Sequence, residues 1–117
     1  MNAPEQGRAG EDIAAQWLEN RGYKILDRNY RVREGEIDIV AFQERTVVFV
    51  EVKWRRSTRF ATPGESVGAR KRARLRHAAL MWMVEHGEWS ARFDVIEMVA
   101  NVNGLSPHIH HIVGAFV

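Results

Sequence analysis

The sequence contains no cysteine, so neither a disulfide framework nor a cysteine-ligated structural zinc holds it together. Only three prolines and nine glycines interrupt 117 residues, which excludes collagen-like and proline/glycine-rich disordered chains. No stretch approaches the roughly 20 apolar residues needed to span a bilayer, and the opening MNAPEQGRAGED lacks the apolar run of a secretory signal. A cytoplasmic chain without a membrane partner is therefore expected. What is present is 45% hydrophobic and 27% charged. That fits one compact domain over residues 1–117, burying roughly two-thirds of the surface its unfolded form exposes.

Charge is sorted along the chain. Residues 53–76 hold nine basic side chains (Lys53, Arg55, Arg56, Arg59, Arg70, Lys71, Arg72, Arg74 and Arg76) against the single acid Glu65, although the net charge is only +2. A basic block of this kind fits a polyanion partner or a solvated helix face. Arginine dominates the basic residues, and its planar fork suits phosphate oxygens better than a lysine point charge.

Over residues 5–20 the apolar Ala9, Ile13, Ala14, Trp17 and Leu18 recur at helical spacing, and Gly22 follows as a stop. Residues 23–30 and 36–42 read as a hairpin turning at Glu34 and Gly35, and a third strand covers residues 46–53. Residues 55–65 form a polar loop with Pro63 and Gly64. From residue 66 to 86, Val67, Lys71, Leu75, Ala78 and Trp82 make a helical stripe that ends at Gly87. Residues 92–99 and 109–116 read as two final strands. The expectation is an α/β (α+β) fold ordered α-β-β-β-α-β-β. Its sheet is mixed, because a parallel return needs a long crossover.

The anomalies are acids in positions that should be buried, since Asp and Glu are rarely buried unless paired or bound to a cation. Strand alternation puts Val48, Val50 and Val52 on one face and Phe49, Glu51 and Lys53 on the other, the last two about 6 to 7 Å apart. It likewise separates Ile37, Ile39 and Ala41 from Glu36, Asp38, Val40 and Phe42, so Asp38 stands beside Glu51 if the strands pair in suitable register. Glu11 heads the helical stripe of Ala14, Ala15 and Leu18 and points toward the sheet. Two carboxylates about 4 Å apart repel by roughly 4 kcal/mol at an effective dielectric of about 20, and Lys53 alone cannot neutralise Glu11, Asp38 and Glu51. Oxygen ligands with unmet negative charge suit Mg²⁺ or Mn²⁺ beside a substrate phosphate, which points to phosphodiester hydrolysis.

These residues carry a resemblance. Asp38 followed by Glu51-Val52-Lys53 resembles the PD-(D/E)xK signature of restriction-endonuclease-like nucleases, with Ile37 in place of the proline. More closely, GRAGEDIAAQWLENRGYKILDRNYR, GEIDIVA, VVFVEVKWR, the helix-borne Lys71 and RFDVI are similar to the YraN-like family of small bacterial predicted nucleases. The likeness covers residues 7–116. It implies a restriction-endonuclease-like core: a helix, a three-stranded antiparallel meander, a second helix and a parallel strand. It also implies metal held by Asp38, Glu51 and the Val52 carbonyl, with Glu11 completing the acidic cluster and Lys53 positioning or activating water.

Blander readings stand beside these. Glu51 and Lys53 would make a surface ion pair if their face were exposed, against which Phe49 argues. Asp38 could be a strand-edge acid, Glu11 could favour the positive end of its helix, and Glu36 reads as a solvated hairpin acid. Lys71 suits either a snorkelling lysine or a group reaching the site. Arg55, Arg56, Arg59, Arg70, Lys71 and Arg74 are the candidate phosphate contacts, giving affinity without base readout. His108, His110 and His111 have no acid or cysteine at ligand spacing and read as edge-strand residues, and Trp17, Trp54, Trp82 and Trp89 as packing. Three functions follow: a metal-dependent nuclease acting on nucleic acid, DNA foremost; a non-catalytic nucleic-acid-binding module; or a protein-interaction domain with structural acids. A nuclease with one metal centre cuts one strand at a time, so a duplex cut calls for a homodimer or two encounters.

Overall fold

The computed structural model describes residues 3–55, 67–100 and 107–117. Its elements are α1 (Ala3–Asn20), β1 (Lys24–Val32), β2 (Gly35–Gln43), β3 (Thr46–Arg55), α2 (Ala69–His86), β4 (Ser90–Val99) and β5 (His108–Phe116). This is the expected order, in an α+β fold. One five-stranded sheet runs β1-β2-β3-β4-β5. The first three strands form an antiparallel meander, α2 carries the chain across so that β4 lies parallel to β3, and β5 returns antiparallel. No helix among the described residues is long and apolar enough to cross a membrane.

Alternation along β3 sorts the core into two layers. Val48 and Val50 pack with Ile39, Ile96, Met98 and the α1 residues Ala14 and Leu18. Val47 and Phe49 pack with Val40, Val95 and the α2 residues Leu75 and Trp82. Trp54 joins the α1 layer, on the opposite face from Lys53, as its position in the strand dictates. At about 1.5–3 kcal/mol for each fully buried aliphatic or phenyl side chain, these two layers supply the dominant stabilisation.

Two glycines set how closely the helices approach. A Cβ on Gly10 of α1 would lie 3.0 Å from the Met98 methyl and 3.3 Å from the Trp54 ring. On Gly35 it would lie 2.7 Å from the Arg74 carbonyl oxygen and 3.1 Å from the Ala78 nitrogen. Gly35 is therefore the first residue of β2, paired with Val32, rather than part of the turn. The turn is Arg33 and Glu34, with Glu34 at φ 64°. The stripe expected from residue 66 also begins later as helix, because Gly68 is extended (φ −74°, ψ 173°) and caps α2; Val67 lies outside the helix but is still fully buried. Ser66 and nearly all of the polar loop lie outside the described residues.

His108, His110 and His111 lie on the edge strand β5, as expected, but His111 has an acid partner that spacing along the chain did not reveal. Asp94 sits across the β4–β5 ladder from the segment around His111, and His111 Nε2 lies 2.8 Å from its Oδ2. Arg92 Nε (3.0 Å) and the Gly114 amide (2.9 Å) donate to the other Asp94 oxygen, and Arg92 Nη2 donates to the Tyr23 hydroxyl at 2.8 Å. Burial pushes the Asp94 carboxyl up, but the His111, Arg92 and Gly114 hydrogen bonds outweigh it and hold it below the usual carboxylate range. Separation along the chain hid this partner.

Candidate active site

The β2–β3 ladder runs from Gln43↔Thr46 to Ile39↔Val50 and stops there. That register puts Asp38 next to Glu51, as alternation requires. Past the last pair, the carboxylate of Asp38 takes the place of a ladder partner: Val52 N–H donates to its Oδ2 at 2.8 Å. An extended residue turns its N–H and C=O toward the same side, so the Val52 carbonyl faces the same gap.

β1 also departs from regular strand geometry opposite Asp38. Arg28↔Ile39 and Tyr30↔Ile37 pair, but Asn29 between them has φ 53°. Asn tolerates this left-handed conformation better than most residues. The alternation of β2 breaks at the same level: Ile37, expected on the face of Ile39 and Ala41, packs instead in the α2 layer with Val40 and Phe49. Sequence periodicity cannot anticipate such a flip, because it assumes an uninterrupted strand.

Glu51 is buried on the α2 side, 4% exposed. Lys71 Nζ lies 3.1 Å from its Oε1 and 3.8 Å from Glu36. Lys71 thus reaches the acids rather than solvent, and Glu36 is shared between Lys71 and Arg31 rather than simply solvated. Burial, followed by the neighbouring Asp38 charge, pushes the Glu51 carboxyl up to about 7 despite Lys71 and Lys53. Asp38 is raised as well, chiefly by burial, with the Val52 amide and Glu51 acting against it. Among the described residues, Glu51 Oε2 is buried without a hydrogen-bond partner. Among the described residues Lys53 makes no ion pair; it is half-buried and acts on Glu51 through its charge.

Glu11 is buried at the head of its stripe and close enough to Asp38 for their charges to interact, but it stands at one remove. Its Oε1 accepts from Arg28 Nε at 3.1 Å and Asn29 Nδ2 at 2.9 Å, and Arg28 also bridges to Asp12. Burial leaves its carboxyl raised in spite of Arg28. The structure therefore brings Asp38 and Glu51 together and holds Glu11 behind Asp38.

The basic candidates divide. Arg55 Nε lies 2.9 Å from Glu97, an acid with no exposed surface that pairs in register with Lys53. Sequence reasoning passed over Glu97, yet in RFDVIEMV it occupies the alternation slot of Phe93 and Val95, which was the available signal. Arg70 is exposed and Arg74 half-buried on α2, while Arg72 donates to the Val67 carbonyl and Arg76 to the Val117 carbonyl. Arg56 and Arg59 lie outside the described residues.

A divalent cation fits this donor set. A buried and a half-buried carboxylate face one gap with a backbone carbonyl, one carboxylate oxygen lacks a hydrogen-bond partner among the described residues, and desolvation raises the pKa of both acids. All are hard oxygen donors of the kind Mg²⁺ and Mn²⁺ accept. Among the described residues no three acidic or imidazole side chains converge on one point. The remaining ligands would then be backbone and water, as is common for Mg²⁺.

Fold and site together define a small mixed-sheet α+β protein with a desolvated carboxylate pair where two strands part. The chain belongs to the uncharacterised protein family UPF0102, whose family model matches residues 10–98. It is 44% identical over 114 residues to a UPF0102 protein of Syntrophomonas wolfei, covering 96% of this chain and 97% of that one. It is 46% identical to one of Frankia casuarinae, covering 94% of each. A Geobacter sulfurreducens relative is 45% identical, with 94% of this chain and 87% of that one covered. The matched span includes Glu11, Asp38, Glu51, Lys53 and Lys71.

Proposed function

We propose that this protein is a metal-dependent nuclease that hydrolyses phosphodiester bonds of nucleic acid, with DNA the favoured substrate. The observation that carries the reading is the pairing of half-buried Asp38 with buried Glu51 at the gap between β2 and β3, with Glu51 raised to about 7 and its Oε2 without a hydrogen-bond partner among the described residues. Holding two adjacent acids largely out of water is unfavourable unless a cation is to be held. Asp38, Glu51 and the Val52 carbonyl would hold Mg²⁺ or Mn²⁺, which supplies Lewis-acid charge to a phosphate and its attacking water. Lys53, on the same strand face as Glu51, contributes a point charge and orients water beside the phosphate. Glu11 orients Arg28 and Asn29 behind Asp38. Arg70 and Arg74 lie on the helix that delivers Lys71, where they bind backbone phosphates without reading bases.

The Lys71–Glu51 contact favours a second reading, a nucleic-acid-binding module without catalysis, because an ammonium group already neutralises one acid. Cleavage of labelled single-stranded, duplex, flapped and four-way-junction DNA, and of RNA, with Mg²⁺ or Mn²⁺ separates the two. Cutting that is lost in both Glu51→Ala and Lys53→Ala establishes the nuclease. Binding of these substrates without cutting at any metal concentration establishes the module.

A further inference from the structure

Among the described residues, Lys71 is the only basic side chain in ion-pair contact with Asp38 or Glu51. Its Nζ lies 3.1 Å from Glu51 Oε1 and 3.8 Å from Glu36 Oε1. Neither the helix nor the core favours a lysine at this position. Lys71 stands in the first turn of α2, which holds no acid and whose N-cap, Gly68, offers no side chain. Aligned peptide dipoles make that end of a helix positive, so a cation there is disfavoured. Lys71 also shares the side of α2 on which Leu75 is buried in the core, and an ammonium drawn out of water costs free energy unless it is paired. Only the acids offset these two costs. The pairing is still incomplete, because one ammonium meets the charges of Glu36, Asp38 and Glu51, and Glu51 Oε2 has no hydrogen-bond partner among the described residues.

We propose that Lys71 is an internal counter-ion: it holds Glu51 in the metal-free protein, and a divalent cation displaces it in order to bind there. The inference rests on the metal reading of the acid pair. An ammonium group and a metal ion on one carboxylate repel each other at short range in a partly desolvated site, so each weakens the other's hold. The divalent ion wins at sufficient concentration because it brings two charges to Asp38 and Glu51 where Lys71 brings one. Lys71 has room to leave. Its side chain is 34% exposed and sits on a flexible four-carbon stem, so the ammonium reaches solvent by rotation about its own bonds while α2 stays in place. On this account the Lys71–Glu51 contact belongs to the metal-free state and does not argue against catalysis. It also makes the protein bind metal more weakly than its oxygen donors alone would.

The test is Mn²⁺ binding to the full chain by titration calorimetry, without nucleic acid. Lys71→Met keeps most of the stem and removes the charge, and it should bind Mn²⁺ about tenfold more tightly than the wild type, or better. Arg76→Met removes the same charge about 7.5 Å further along the helix and should change the affinity by no more than about twofold. A second measurement needs no substitution. The chain has only the lysines Lys24, Lys53 and Lys71, so reductive methylation read by peptide mass spectrometry follows each one separately. Saturating Mg²⁺ should raise the labelling of Lys71 several-fold relative to exposed Lys24. The proposal is overturned by a Lys71→Met protein that binds Mn²⁺ no more tightly than the wild type, by an equal gain in Arg76→Met, or by Lys71 labelling that Mg²⁺ leaves unchanged. Absence of Mn²⁺ binding in wild type and Lys71→Met alike overturns the metal reading with it. A gain in Mn²⁺ affinity in a protein that cuts no substrate supports the counter-ion and overturns the nuclease alone.

Discussion

The sharpest expectation concerns Glu51→Gln in the metal-free protein. The Glu51 carboxyl stands at about 7 when folded against its ordinary 4.5. Between these values the unfolded chain has released the proton and the folded chain has not. The folded state therefore binds more protons, and stability falls as pH rises, levelling off above about 7. At about 1.36 kcal/mol per pKa unit, Glu51 removes roughly 2 to 3 kcal/mol of stability between pH 5 and pH 8. Gln keeps the shape and cannot ionise. Urea unfolding of both proteins at pH 5 and pH 8 with chelator present should show Glu51→Gln gaining on the wild type by about that amount. Mn²⁺ at pH 8 should then cancel most of that gain: binding at about 100 times Kd adds about 2.7 kcal/mol to the wild type and nothing to the variant. Two proteins whose stabilities track each other with pH within about 0.5 kcal/mol would refute the argument that burial and Asp38 destabilise the charged form.

Other expectations follow from the packing and the site. Gly35→Ala should cost about 1–3 kcal/mol in chemical denaturation because its Cβ meets backbone at 2.7 Å, whereas Gly68→Ala, with nothing within 4 Å, should stay within about 0.5 kcal/mol of wild type. Asp38→Ala leaves the half-buried Val52 amide without its acceptor, costing about 1–3 kcal/mol, and should also abolish thermal stabilisation by Mn²⁺. Asp94, held below the usual carboxylate range, contributes stability above about pH 4 that is lost as pH falls through its folded value. Asp94→Asn should therefore flatten the acid limb of the unfolding profile and speed amide exchange in β5. Arg70→Ala and Arg74→Ala should each reduce the salt slope of DNA affinity by about one, measured by fluorescence anisotropy.

Asp38 and Glu51 were legible because a strand has period two: an acid in an apolar slot stands out, and one register places both acids together. Lys71 was legible as a charge interrupting a helical stripe. Asn29 was not, because its importance comes from one positive φ that no periodicity encodes. The acceptor role of Asp38 was hidden too, since it exists only because the β2–β3 ladder stops at Ile39↔Val50. Glu97 and the Asp94–His111 pair escaped for a simpler reason: their partners are neighbours across strands rather than along them.

The sequence by itself determined the element order, the two-sided core of β3 and the acids that would have to be accommodated within it. These follow from local periodicity, which hydrophobic burial enforces residue by residue. Only the tertiary structure decided that Glu11 would be held by Arg28 and Asn29 rather than join Glu51, and that Lys71 would reach the acid pair. It alone placed Gly35 against the backbone of α2. Such outcomes depend on how strands splay and how closely helices seat, and these are set by side-chain volumes and charges meeting across distant parts of the chain.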